Sequence, residues 1–163
     1  MNYTFRALTQ ADGPVIWQML MHAAHELSLE AVKSQPILAR YAVDWGHPGD
    51  DGFVALADGQ PAGAVWLRLW TGIDKGFGFI NNATPELAIA VLPECQGAGV
   101  GTQLLALVLQ QAQSVYPAIS LSVRANNPAN RLYERVGFVK VDGSEVINRT
   151  GSVSFSMIKT FPC

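Results

Sequence analysis

The sequence predicts a mixed α/β layer structure, and three observations carry that prediction. Two apolar runs, 53–57 and 63–70, flank Asp58-Gly59-Gln60-Pro61, and Asp-Gly between apolar runs is a strong hairpin signal. A short, almost wholly apolar run at 86–92 leads through a glycine-rich turn into a helix-like stretch at 100–114, as a buried strand feeding a helix would. The element order, βααβββαβαββ, alternates strand and helix in only one part of the chain, which disfavours a uniform doubly wound sheet.

Taken in order, residues 3–8 alternate enough for an opening strand. Thr9 or Asp12 caps a helix reaching about residue 24, with Pro14 tolerated in its first turn. Ile16, Met19, Leu20 and Ala23 lie three or four apart and form its buried stripe. A second helix is expected over 35–43, Pro36 sitting near its start. Residues 45–52 are dense in turn formers and read as a loop. After the hairpin, a glycine-rich connection covers 71–84. The strand at 86–92, a turn at 93–99, the helix at 100–114 and a buried strand at 119–123 follow. Asn127 before Pro128 marks a helix start and Gly137 its end. Residues 139–141 and 153–160 supply two closing strands. With no repeat, low-complexity tract or linker, one domain over 1–163 is expected.

Composition narrows the function classes. The chain has 163 residues, 49% of them apolar and only 15% charged, which suits one compact core and not disorder. Lys plus Arg number 11 against 13 Asp plus Glu, so no basic surplus exists to bind nucleic acid. No apolar stretch is long enough for a membrane helix, and the opening MNYTFRALTQADG has no signal-peptide core. A cytoplasmic protein with neither nucleic acid nor membrane as partner is expected. Cys95 and Cys163 make neither a disulfide framework nor a zinc site.

The segment richest in chemistry lies between Cys95 and Val123, where no Asp, Glu, Lys or Arg occurs. Within it, Gln96-Gly97-Ala98-Gly99-Val100-Gly101-Thr102 stands directly between a buried strand and a helix. Glycines let the backbone approach a ligand and adopt positive φ. The N–H groups of the helix's first turn, with the positive end of its dipole behind them, point the same way. The combination is an anion site made of backbone and suited to a pyrophosphate. Lacking Gly-Lys-Ser/Thr, it is not a Walker A loop. The plain alternative is a glycine-rich turn made only for close packing. A dinucleotide fold also competes, but Thr102 stands where its last Gly or Ala belongs, and the strand at 119–123 ends in Arg124 where a carboxylate is wanted. An NADP-type Arg keeps oxidoreduction as the runner-up enzyme class.

The second informative stretch is 123–138. On a helix starting near Pro128, Ala129, Leu132 and Val136 line a core-facing stripe, while Asn126 or Asn127, Asn130 and Tyr133 share a polar-edged face. The plain reading of Asn127 is a helix cap, and that of Tyr133 a core aromatic. Three features then stand in order: the strand Leu87-Ala88-Ile89-Ala90-Val91-Leu92-Pro93, the loop Gln96-Gly97-Ala98-Gly99-Val100-Gly101, and Asn126, Ala129, Tyr133, Gly137 and Phe138. Together they resemble the GNAT superfamily of acyl-CoA-dependent N-acyltransferases. The resemblance is specific over residues 86–138.

That resemblance implies a mostly antiparallel sheet flanked by helices, whose fourth and fifth strands splay apart around acetyl-CoA. Behind Gln96, residues Gly97, Ala98, Gly99, Val100, Gly101 and Thr102 would cradle the pyrophosphate. Ile89 and Val91 would pair with the pantetheine arm, and the N–H of Ala90 or a neighbour would polarise the thioester carbonyl. Asn126 and Asn130 would bond the coenzyme. Many relatives carry Arg or Lys in the loop; this chain has none there, and Arg131 or Arg135 could serve instead, although a solvated arginine is the plainer reading. Tyr133 matches the acid that protonates the departing thiolate, and Glu86 stands where some relatives place a catalytic base. A buried carboxylate there would suit that work, with an ordered water as the alternative. The implied activity is acetyl transfer from acetyl-CoA to a primary amine of a small-molecule or peptide acceptor, by direct attack on the thioester. A non-catalytic acyl-CoA-binding module is the alternative. The family's frequent dimers make a homodimer an expectation.

Other candidates carry less. Cys95 has no His or cationic partner nearby in sequence and is a poor nucleophile; Cys163 is expected to be inert. His22 and His25 share an i, i+3 spacing on the first helix, but no further ligands join them, so no metal is expected. Trp45, Trp66, Trp70, Phe77 and Phe79 could wall an acceptor pocket or fill the core. Asp44, Asp50, Asp51 and Asp74 could attract an amine or be ordinary surface acids.

Overall fold

A computed structural model describes residues 2–162, so Cys163 lies outside the described residues. The chain forms two compact units. One comprises the chain up to Arg68 together with Leu87–Gln111; the other comprises Leu69–Glu86 and the chain from Ala112 onward. The class is mixed α/β with a mostly antiparallel sheet and helices, as the sequence predicts.

In the first unit, β1 (Tyr3–Ala7) pairs antiparallel with β2 (Asp51–Ala57), and β2 with β3 (Gln60–Arg68). Asp58 and Gly59 both have positive φ, 49° and 83°, the two-residue turn whose twist matches the flanking strands. From Ala62 on, β3 is buried at every position, which explains its unbroken apolar run. Next to it lies β4 (Glu86–Val91). Gly63 is glycine because β4 is close: a Cβ there would stand 2.9 Å from the Ala90 carbonyl oxygen.

Helix α1 (Gly13–Ala23) buries Ile16, Met19 and Leu20, with Pro14 in its first turn. A single turn precedes it, in which Asp12 accepts from the Thr9 N–H at 2.7 Å and from Arg6 at 2.8 and 2.9 Å. These donors, Arg6 foremost, hold the Asp12 carboxyl at about 2. Ser28 accepts the Ala31 N–H and caps α2 (Leu29–Lys33), an element the sequence did not announce. The helix expected over 35–43 is shorter, α3 (Pro36–Ala39). Its continuation tightens into turns, since the buried Arg68 guanidinium takes the carbonyls of Arg40 and Val43 at 2.9 and 2.6 Å. Helix α4 (Val100–Ala112) buries Val100, Leu104, Leu105, Val108, Leu109 and Ala112, a stripe at three- and four-residue spacing.

In the second unit, β5 (Ala118–Arg124) pairs antiparallel along its whole length with β8 (Val153–Thr160). The short β6 (Val139–Lys140) and β7 (Val146–Ile147) also pair with β8. β7 is an addition to the expected order, too short to carry a period. Glu86, the first residue of β4, pairs in parallel with Ser120 of β5. Helix α5 (Asn130–Arg135) starts later than Asn127; the Asn127 Oδ1 accepts the Ala129 N–H at 2.8 Å and its carbonyl the Asn130 N–H at 3.1 Å, a turn that leads into the helix. Its end follows expectation: Gly137, at φ +106°, donates its N–H to the Glu134 carbonyl, and the Phe138 N–H reaches the Tyr133 carbonyl. No helix among the described residues is long and apolar enough to cross a membrane.

Candidate active site

The glycine-rich loop of the first unit is exposed from Gln96 through Gly99. Gly97 and Gly99 stand at φ +85° and +81°, and a Cβ at either would meet nothing within 4 Å. Close packing therefore does not explain these glycines. Their backbone conformation does, together with an open face that a side chain would occupy. Beneath the loop, Cys95 is buried and donates its N–H to the Leu92 carbonyl at 2.9 Å. The Gln96 side chain donates to the Val91 carbonyl at 3.2 Å, so it anchors the loop to β4. The helical ladder of α4 begins with the Gln103 N–H on the Gly99 carbonyl at 3.0 Å. The N–H groups of Val100, Gly101 and Thr102 precede that bond and, with the helix dipole, favour an anion. The acid-free run from Cys95 to Val123 opposes it nowhere. A pyrophosphate fits this loop.

Backbone direction sorts the residues of β4. The Leu92 N–H donates to the Ala62 carbonyl at 2.8 Å, and the Ala90 carbonyl lies against Gly63. Strand alternation thus turns the Ala90 backbone toward β3, and the Ile89 and Val91 backbones away from it. Of the expected polarising N–H groups, the neighbours of Ala90 are the ones turned outward.

In the second unit, Glu86 opens β4 and is 3% exposed. Its Oε1 accepts the Trp70 indole N–H at 2.9 Å. Gly78 lies over it: a Cβ there would stand 3.0 Å from the Glu86 Cδ, and the Gly78 carbonyl accepts the Ser120 hydroxyl at 2.7 Å. Tyr133 is 7% exposed and packs edge-on against Phe138, ring centroids 6.1 Å apart. Burial pushes its phenol up to about 12, so it holds its proton at neutral pH. Among the described residues nothing bonds to its hydroxyl. Asn126 is exposed, whereas Asn130 donates to the carbonyls of Arg124 and Ala125 at 3.2 and 3.1 Å. The Asn130 Oδ1 is buried with no partner among the described residues.

The remaining candidates separate cleanly. Trp45, Trp66 and Trp70 are core residues; Phe77 is exposed, and the Lys75 ammonium lies 4.1 Å from the Phe79 ring centre. Asp50 is no amine lure: it is buried and bonded to Arg68 at 3.0 and 3.1 Å. Burial, and then the Asp50 charge, push the Asp51 carboxyl up. His22 and His25 do not share a helix face, because α1 ends at Ala23 and His25 has φ +58°. No group of three or more metal-ligating side chains occurs among the described residues. Arg131 and Arg135 are exposed.

The acetyltransferase (GNAT) family profile matches residues 16–138. The chain belongs to the GNAT family. A mycothiol acetyltransferase of Arthrobacter sp. (strain FB24) is 28% identical over 86% of this chain, which spans 44% of that protein's length. The [ribosomal protein bS18]-alanine N-acetyltransferase of Haemophilus influenzae is 44% identical over 33% of this chain, covering 38% of its own. This GNAT chain thus spans less than half of the length of those curated relatives. Among solved structures, the ribosomal-protein-S18-alanine N-acetyltransferase of Escherichia coli has the same fold, with TM-score 0.69 at 20% identity over 99% of this chain and 96% of that one. The Salmonella typhimurium protein yncA, solved with acetyl-CoA, gives TM-score 0.69 at 19% identity over 98% and 94%. Family membership leaves the dinucleotide reading without support. Gly78 and Ser120 were not singled out in the sequence. The available signal was length: 17 residues connect β3 to β4.

Proposed function

We propose that the protein transfers an acetyl group from acetyl-CoA to a primary amine of a small-molecule or peptide acceptor. The observation that carries this reading is the exposed loop at the head of α4, whose two glycines stand at positive φ beside open space. In this reading the N–H groups of 97–102 hold the pyrophosphate, the outward N–H groups of Ile89 and Val91 bond the pantetheine arm or the thioester carbonyl, and the Asn130 Oδ1 accepts from the coenzyme. Acetyl-CoA, once bound, supplies the acetyl group as a thioester.

Glu86 is assigned the amine's proton, as a buried carboxylate beside the indole of Trp70. Tyr133 is assigned to the departing sulfur. A phenol held at about 12 does not give up its proton outright to a thiolate of ordinary basicity, near pH 8.5. It donates a strong hydrogen bond while the C–S bond breaks, and the proton lost by the amine leaves through solvent to end on the thiol. The products are the amide and free coenzyme A.

Calorimetric titration with acetyl-CoA, followed by thiol release across a panel of amino acids, polyamines, amino sugars and peptides with free α-amines, tests the reading. Binding together with amine-dependent thiol release supports it. Binding without release from any amine identifies a non-catalytic acyl-CoA module, and absence of binding overturns the site.

A further inference from the structure

We propose that Trp70 is a positioning residue for Glu86, its indole N–H delivered by the long β3–β4 connection to fix the carboxylate. The inference rests on the assignment of Glu86 as the base. Neighbouring antiparallel strands are commonly joined by about 2–5 residues. Here 17 are used, and two of their fixed points meet on one side chain, Glu86. Near the start, Trp70 is 5% exposed, with its N–H on Glu86 Oε1 at 2.9 Å. In the middle, the Gly78 backbone lies against Glu86 and β5, held by the Ser120 hydroxyl at 2.7 Å. Near the end, Thr84 is 1% exposed. Between the first two points the chain runs out to solvent, Ile73 being fully exposed. A connection that served only to plug the core would bring an apolar ring; this one brings a buried N–H and satisfies it on a carboxylate.

The physical consequence is specific. The terminal torsion of a glutamate is soft, so a donor on one oxygen selects an orientation that the strand alone does not. A hydrogen bond to the ionised carboxylate also favours the proton-accepting form.

Trp70→Phe keeps a ring and removes the donor. With a working amine acceptor, the acid limb of the kcat/KM–pH profile should move up by about one unit, and kcat at pH 7 should fall several-fold. Acetyl-CoA affinity should hold. If Trp70→Phe disturbs folding, Trp70→3-benzothienylalanine retains the bicyclic shape without the N–H, and thermal unfolding reports its integrity. A folded variant with an unshifted acid limb, alongside an inactive Glu86→Gln, overturns the positioning role and leaves the base assignment standing. Full activity of Glu86→Gln overturns the base assignment and the inference with it.

Discussion

At Gly99 the backbone stands at φ +81° and a Cβ would meet nothing within 4 Å, whereas at Gly78 a Cβ would meet the carbonyl carbon of Leu121 at 2.8 Å and the nitrogen of Ser122 at 2.9 Å. The first glycine leaves room outside the chain; the second removes bulk inside it. Around Gly99 the polar groups on offer are backbone N–H donors at a helix start, placed by local conformation. Around Gly78 they are side chains, Glu86, Trp70 and Ser120, placed by the return of a distant segment. Under the proposed function, binding and chemistry therefore depend on different levels of the fold, and substitutions should separate them.

The largest expected effect is on the exposed loop. Gly99→Glu puts a carboxylate where the pyrophosphate is assigned, and like charges brought together cost several kcal/mol. Calorimetry should show acetyl-CoA affinity lower by about 10³-fold or more, with secondary structure by circular dichroism retained. Wild-type affinity in this variant would remove the loop from the site.

This difference also explains what the sequence discloses. The hairpin at Asp58-Gly59, the strand at 86–91 and the glycine loop are legible because each depends on residues within a few positions. The early helices are less so. α3 stops short because Arg68, far along the chain, claims the carbonyls of Arg40 and Val43. Asp50 reads as a surface acid for the same reason, its partner lying 18 residues away. Trp70 and Glu86 are 16 apart on opposite sides of a loop, and no periodicity links them. Local chemistry is written in local sequence; buried side-chain pairs are written in the tertiary fold.

The second expected effect is on Tyr133. Removing one hydrogen-bond donor to a developing negative charge typically costs roughly 10²- to 10³-fold in kcat. Tyr133→Phe should show a loss in that range with little change in acetyl-CoA affinity, because the assigned coenzyme contacts are mostly backbone. The same variant has a signature in stability. Burial raises the folded phenol to about 12 from an ordinary 10, so above pH 10 the unfolded chain ionises first. The contribution is intact below pH 10 and is lost as pH rises toward 12, up to about 3 kcal/mol. Urea unfolding at pH 9 and pH 11.5 should show wild type weakening by more than Tyr133→Phe. Equal pH slopes would mean that the phenol is solvated.

Gly78→Ala should cost about 1–3 kcal/mol by overpacking, since the contacts it makes are with backbone that cannot rotate aside. The methyl also presses on the Glu86 carboxyl, so kcat should fall along with stability while acetyl-CoA binding persists. A stable variant with reduced acetyl-CoA affinity would reverse the division of labour between the two glycines.

The smallest effect, and the finest test of the comparison, is Gly99→Ala. An L-residue held at positive φ costs about 1–2 kcal/mol, and no packing penalty adds to it because the methyl meets nothing. For a chain of this size that lowers the melting temperature by a few degrees, roughly 2–4 °C per kcal/mol. Turn strain alone would act equally on the free and the bound protein. A bound ligand instead adds stability by mass action, in proportion to the logarithm of its concentration over Kd. If the backbone at Gly99 must be approached closely by the pyrophosphate, the alanine variant should show both a lower melting temperature and a smaller rise on adding acetyl-CoA. If the melting temperature falls but the rise matches wild type, the methyl does not touch the ligand. Gly99 would then be glycine only to turn the chain into α4.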